Sequence, residues 1–337
     1  MVFGAGLIGG FVAGAMISQG LNVALVARPS VRQKLSAGLR LTDYQDHEAI
    51  IDSVSFVDAD KLPGAPSSHS CDYLWLTVKC TAVESALAEL PALVGPSTII
   101  FCVQNGLGSE QIVKDRFPAN KVMRVMAMFN VAEPSPGHLH RGSQGHLGIE
   151  ELDDYPQIAR DIAAEINSPL MVVDSCDHIV ALLWAKLQLN LANGVNALAD
   201  VPIKTMIEQR NYRLVIALLM KELLAVVDAM QISLPKVTPL PAHWVPEVLS
   251  LPNCVFRIVG QKMLAVDPTV RTSMWWDLSG GKQTEVEFLN GALIRAGKEV
   301  GVACPANEKL LAMIHQAERK ELEQGIDAES FLEALRS

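Results

Sequence analysis

The chain has 337 residues, half of them hydrophobic and 19% charged, which is long and apolar enough for two domains with a core each. That composition excludes extensive disorder, and a net charge of −9 argues against nucleic acid or an anionic membrane as the main partner. An anionic ligand must then be held by local cations rather than by the overall field.

Only Met1, Val2 and Phe3 precede the first glycine, where a strand ordinarily has ~5 residues. Either a central strand is unusually short or the true start lies upstream. Gly4-Ala5-Gly6-Leu7-Ile8-Gly9 then forms a G-x-G-x-x-G fingerprint, and Leu7, Ile8, Phe11, Val12, Ala15 and Met16 follow at helical spacing. Leu21 to Val26 reads as a second strand. At such a strand–turn–helix junction glycines make a tight turn, admit a pyrophosphate close to the backbone, and aim a helix N-terminus at its charge. A dinucleotide-binding βαβ unit fits this context better than a chance glycine-rich turn, with Gly4, Gly6, Leu7, Ile8 and Gly9 expected at the cofactor. After the second strand comes Ala27-Arg28-Pro29-Ser30, and no carboxylate appears until Asp43. NAD sites place an acid about 20 residues past the glycines for the ribose 2′-hydroxyl, whereas an arginine suits a 2′-phosphate. Arg28 therefore points to NADP; the alternative is a solvated loop arginine.

Asp72 to Val78 reads as a strand, followed by a helix through Leu87 and Leu93. Thr98 to Val103 is another strand, ending in Gln104-Asn105-Gly106, and Val122 to Phe129 and Leu170 to Val173 are further ones. Apolar strands alternating with helices predict an α/β fold with an N-terminal, Rossmann-type, doubly wound and mainly parallel sheet. Ligands bind such sheets at the carboxyl ends of the strands, where Gly4, Arg28, Lys79 and Asn105 all fall. His138, His140 and His146 alternate without a supporting Cys or carboxylate cluster, so an exposed hairpin is expected and no metal. Asp153-Asp154 reads as a solvated turn before a helix from Pro156.

Beyond Asp174 the pattern turns helical, predicting helices at Ile179 to Leu198, Ile203 to Met230, around Val255 to Leu264, Gln283 to Val300 and Asn307 to Gln324. The expected domains are 1–174, dinucleotide-binding, and 175–337, mostly α-helical and substrate-binding. Leu214 to Met230 is interrupted by Lys221, Glu222 and Asp228, so it reads as a buried helix rather than a membrane span. It would serve a homodimer face as readily as a monomer core. Six scattered cysteines without C-x-x-C and the lack of a basic leader point to reduced thiols and a cytoplasmic location.

Lys186, Asn190 and Asn193 recur at i, i+4 and i+7 on an otherwise apolar helix, which stacks them on one face. Such groups need water, a partner or a ligand, because unpaired burial is costly. A polar seam packed against the other domain is the alternative. Further on stand Thr272-Ser273-Met274-Trp275-Trp276-Asp277 and Thr284-Glu285-Val286-Glu287. Thr284 and Glu287 predict a capping box, and Trp275 and Trp276 either line a cleft or pack between domains. Glu285 has no local role, which leaves it for Lys186 or for a substrate hydroxyl.

Taken in order, G-x-G-x-x-G, V-K after a strand, V-Q-N-G after the next, K-x-x-x-N on a helix, and S-M-x-x-D followed by T-E-x-x-F-x-N-G resemble the ketopantoate reductase (2-dehydropantoate 2-reductase) family over nearly the whole chain. The resemblance implies NADPH-dependent reduction of a small 2-oxo acid in a cleft between a Rossmann and a helical domain. It implies Arg28 and Lys79 at the 2′-phosphate and adenosine end, Gly4, Gly6 and Gly9 at the pyrophosphate, and Asn105 near nicotinamide and substrate. Lys186 would be the catalytic lysine with Asn190 beside it, and Ser273 and Glu285, twelve residues apart, would bind substrate carboxylate and hydroxyl. Glu285 would also orient Lys186 and keep it charged. The family's second helix asparagine, eight residues after the lysine, is Gly194 in this chain, with Asn193 or Asn196 as the substitute. That departure bears on the substrate, so reduction of another 2-oxo acid or carbonyl is the alternative, or a sensor that binds NADP without turnover.

Overall fold

A computed structural model of the protein describes residues 1–58, 70–264 and 268–336. By contact the chain divides into two units, Met1–Ile179 and Val180–Ser337.

The strands of the first unit are β1 (Val2–Phe3), β2 (Ala24–Val26), β3 (Leu39–Asp43), β4 (Glu48–Ile51), β5 (Ser55–Phe56), β6 (Cys71–Leu76), β7 (Val94–Cys102), β8 (Val122–Ala127), β9 (Val131–Ser135), β10 (His138–Arg141), β11 (Leu147–Glu150) and β12 (Val173–Cys176). Its helices are α1 (Leu7–Ser18), α2 (Pro29–Leu35), α3 (Val83–Ala86), α4 (Ser109–Arg116) and α5 (Pro156–Ile166). Eight strands form one sheet in the order β12-β11-β8-β7-β6-β1-β2-β5, parallel except where β8 meets β11. The two-residue β1 pairs on both sides, with β2 and with β6. Apolar layers cover both faces: Phe11, Val12 and Ile162 on one, Val83, Leu90 and Val113 on the other. This is the doubly wound α/β arrangement that the strand pattern predicts.

A second sheet, in the order β4-β3-β10-β9, packs on α1 and explains why that helix is buried from Gly9 to Met16. Gly10 and Gly14 admit the sheet's leucines, since a Cβ there would come 2.9 Å from Leu139 and 2.6 Å from Leu39. The histidine-bearing hairpin is its β9–β10 pair, and among the described residues no cluster suits a metal. Two predicted elements are displaced. The helix through Leu87 and Leu93 breaks into α3 and two 3-10 turns, the second containing Pro91. The strand expected at Leu170 to Val173 starts at Val173, because Ser168 and Met171 exchange backbone hydrogen bonds and close a turn.

The second unit is helical: α6 (Ile179–Asn190), α7 (Ala192–Ala199), α8 (Ile203–Glu208), α9 (Arg210–Ala229), α10 (Trp244–Ser250), α11 (Asn253–Val259), α12 (Gln261–Leu264), α13 (Ser273–Ser279), α14 (Asn290–Val300), α15 (Pro305–Glu318) and α16 (Ala328–Arg336). The long run predicted from Ile203 is two helices, since Gln209 takes an extended conformation between them. Helix α9 buries Val215, Leu219, Leu223 and Val227 and packs against α10, α14, α15 and α16. Its apolar surface is thus spent inside the chain rather than offered as a dimer face. Among the described residues no helix is long and apolar enough to cross a membrane.

Candidate active site

The three fingerprint glycines meet three different steric demands. Gly4 turns the chain at φ +100°, a left-handed conformation that side chains disfavour, and its N–H donates to Val26 O at 3.0 Å. A Cβ on Gly9 would collide with Thr77 Oγ1 and the Gly4 carbonyl, so glycine there lets α1 approach β6. At Gly6, by contrast, no atom lies within 4 Å of where a Cβ would stand. That open side is where a phosphate can reach the backbone. Gly6 begins α1 with no side-chain cap and no acid in the first turn, so the positive helix end is not neutralised locally. Leu7 and Ile8 supply that first turn, with Leu7 exposed.

Arg28, Lys79 and Asn105 stand just past the carboxyl ends of β2, β6 and β7, strands that adjoin or neighbour β1 in the sheet. Arg28 is exposed at the start of α2, where its carbonyl accepts from Val31 and Arg32 and Pro29 takes the first helical position. Three further residues brace these loops and were not singled out by the sequence. Buried Gln104 donates through Nε2 to Leu76 O at 2.7 Å and Val78 O at 3.1 Å, and the Cys80 thiol donates to Asn105 O at 3.2 Å. The Thr77 hydroxyl donates to Gly4 O at 2.6 Å. The signal available was position alone: polar residues within a few positions of the ends of β6 and β7.

In the second unit Lys186 is half-buried on α6, and Asn190 ends that helix. Leu191 N still donates to Leu187 O at 3.0 Å, so the helical path carries on toward Asn193 on α7. Burial pushes the Lys186 ammonium below its ordinary value.

Gly194 faces the other way: a Cβ would lie 3.0 Å from Leu310 Cδ2 on α15. Asn196 is fully buried and committed, donating to Val201 O at 2.7 Å and accepting from Thr272 N at 3.0 Å. Of the two candidates to replace the family's second asparagine, only Asn193 stays on the partly exposed face. Thr272 links it to Ser273. The Thr272 hydroxyl lies 3.4 Å from Asn193 O and caps α13, of which exposed Ser273 is the first residue. Beside it Arg271 pairs with Asp200 at 2.7 Å and stacks 4.1 Å over Trp275, whose Nε1 donates to the same carboxylate at 2.7 Å. Trp276 remains exposed.

Glu285 is half-buried at the start of a 3-10 turn, Val286–Phe288, and the predicted capping box next to it does not form. Tertiary partners take both of its members. Thr284 N donates to Glu318 Oε1 at 2.7 Å, while Glu287 meets Arg295 at 3.3 Å and His315 Nε2 at 2.9 Å. His315 bridges on to Glu318 at 2.9 Å through Nδ1. Burial opposes charge on this imidazole, but the two carboxylates prevail and raise its pKa. Asn290, from the same motif, is buried and donates to Asn307 Oδ1 at 2.8 Å, a structural task.

Comparison with known proteins agrees along the chain. Residues 1–154 match the family model "Ketopantoate reductase PanE/ApbA", and residues 178–318 match its C-terminal counterpart. The chain is 24% identical over 321 residues to a 2-dehydropantoate 2-reductase of Archaeoglobus fulgidus, covering 94% of this chain and 97% of that one. Among solved structures it is similar to a PanE/ApbA family ketopantoate reductase from Ralstonia eutropha, with TM-score 0.74, 27% identity, and 95% and 99% of the two chains covered. A D-mandelate dehydrogenase solved with NADH and anilino(oxo)acetate shares the fold, with TM-score 0.76, 21% identity, and 95% and 99% coverage.

Proposed function

The chain belongs to the ketopantoate reductase (PanE/ApbA) family and is an oxidoreductase of it, and on that premise we propose that it reduces 2-dehydropantoate to pantoate with NADPH. The observation that carries the reading is the pairing of a glycine cradle open at Gly6 with Arg28 just past β2, in a stretch of chain that holds no acid before Asp43. The cradle fits a dinucleotide pyrophosphate, and the uncapped start of α1 favours its charge. Arg28 and Lys79 would hold the 2′-phosphate and adenosine end, and Asn105 would lie at the nicotinamide. When bound, that cofactor supplies the hydride.

The chain's own residues have three tasks in this scheme. Ser273 and Asn193 bind the substrate carboxylate and fix the ketone's orientation. Asn190 donates to the ketone oxygen, and Glu285 accepts from a substrate hydroxyl. Lys186 Nζ gives its proton to that oxygen as negative charge develops on it. The depressed pKa of Lys186 suits the transfer, because a less basic ammonium parts with its proton more readily.

Gly194 favours a second reading, reduction of a different 2-oxo acid on the same scaffold. A D-mandelate dehydrogenase that shares the fold is in keeping with a different substrate on this scaffold. The test is the loss of NADPH absorbance with 2-dehydropantoate, against a panel of branched and aromatic 2-oxo acids and with NADH as control. Selective turnover of 2-dehydropantoate with NADPH is expected. Turnover of another oxo acid would move the substrate, and NADPH binding with no reduction would favour a sensor.

A further inference from the structure

A cavity of about 380 Å³ lies within the helical unit, lined by Lys204, Glu208, Arg213, Asn253, Phe256, Arg257 and Leu264. No residue assigned above to cofactor or substrate lines it. Arg213 is fully buried, and its five N–H groups are all spent on neutral acceptors: Leu249 O, Ile207 O, Glu208 O, Leu251 O and Asn253 Oδ1, at 2.9 to 3.2 Å. Its guanidinium stacks 4.0 Å over Phe256. Carbonyl dipoles solvate this cation without cancelling its charge, and among the described residues no carboxylate pairs with it. Lys204 and Arg257 likewise make no ion pair among the described residues, and the described lining holds three cations and one carboxylate, exposed Glu208. Because Asn253 accepts from Arg213 through Oδ1, its amide N–H groups are left as donors. Phe256 and Leu264 add apolar wall.

We propose that this cavity binds a small oxyanion, a carboxylate or phosphate, gripped by Lys204, Arg257 and the Asn253 amide and favoured by the buried charge of Arg213. The inference is independent of the assignment of the reductase residues. It is tested by calorimetric titration of the full chain, saturated with NADPH, with butyrate in one arm and inorganic phosphate in the other. Expected is saturable binding, near one per chain, of at least one anion, the arms telling whether a carboxylate or phosphate head is preferred. Lys204→Glu with Arg257→Glu should weaken it by about tenfold or more, while Lys204→Arg with Arg257→Lys should retain it. Should the charge-reversed protein fail to fold, Arg257→Gln on the exposed side of α11 gives the same reading. Saturable binding of neither anion, or equal binding by the charge-reversed protein, would overturn the proposal.

Discussion

In the proposed scheme the choice of NADPH rests on Arg28. It stands exposed just past β2, in a stretch of chain that carries no acid between the glycines and Asp43 to receive a ribose 2′-hydroxyl. Charge-assisted contacts to a phosphate are worth about 1.5–3 kcal/mol each. Arg28→Asp should therefore raise the NADPH KM by about 10- to 100-fold while NADH is affected far less, as steady-state kinetics with both cofactors would show. An unchanged NADPH preference would remove Arg28 from the site. At this scale the glycine turn was legible, because Gly4 and Gly9 act through local geometry, which spacing encodes. Asn196 was not separable from Asn193 on spacing. Its burial and its two hydrogen bonds to Val201 and Thr272 depend on how α7 meets the residues before α13.

Among the elements, the turn that carries Glu285 is held from α15. His315 donates toward Glu287 and Glu318, and Glu318 in turn accepts from Thr284 N; Arg295 is the other charge on Glu287. A histidine whose folded pKa is raised adds stability that is complete below its unfolded value of about 6.5 and is lost as pH rises through the folded value. Urea unfolding of His315→Gln should thus show a penalty that is larger at pH about 5.5 than at pH about 9. A penalty that does not change with pH would mean the imidazole acts only by packing. This network also explains why the capping box was misread: Thr284 and Glu287 have the right local spacing, but Glu318 and His315 compete for them from another helix. The small sheet was missed for a related reason. Leu39-Arg40-Leu41 does alternate, yet β3 finds β10 across 96 residues, as the Thr42–His138 contact shows, and no local pattern reports that pairing.

For the molecule as a whole, that sheet is tied by one buried ion pair, Arg141 to Asp43 at 2.8 Å, with both side chains essentially excluded from solvent. Burial works against ionised Asp43, but hydrogen bonds from His47 and Arg141 and from backbone N–H groups hold its pKa at about 2. A depressed carboxylate stabilises the fold above its ordinary value of 3.8, and that contribution, about 2 kcal/mol, fades as pH falls toward 2. Asp43→Asn should cost about 3–5 kcal/mol at neutral pH, since it leaves a buried guanidinium whose Nε already lacks a partner among the described residues. Denaturant unfolding measures this directly, and a cost below about 1 kcal/mol would show that water reaches Arg141. The α/β first unit and helical second unit were legible because strand and helix periods change near residue 174, whereas the ion pair joining distant strands was not. The central claim concerns Lys186 as the proton donor. Its most direct measurement is turnover and NADPH affinity of Lys186→Ala beside the unmodified chain, with whichever 2-oxo acid the latter reduces. Expected is a fall in kcat of ~10² or more with the NADPH Kd nearly unchanged; undiminished turnover would contradict it.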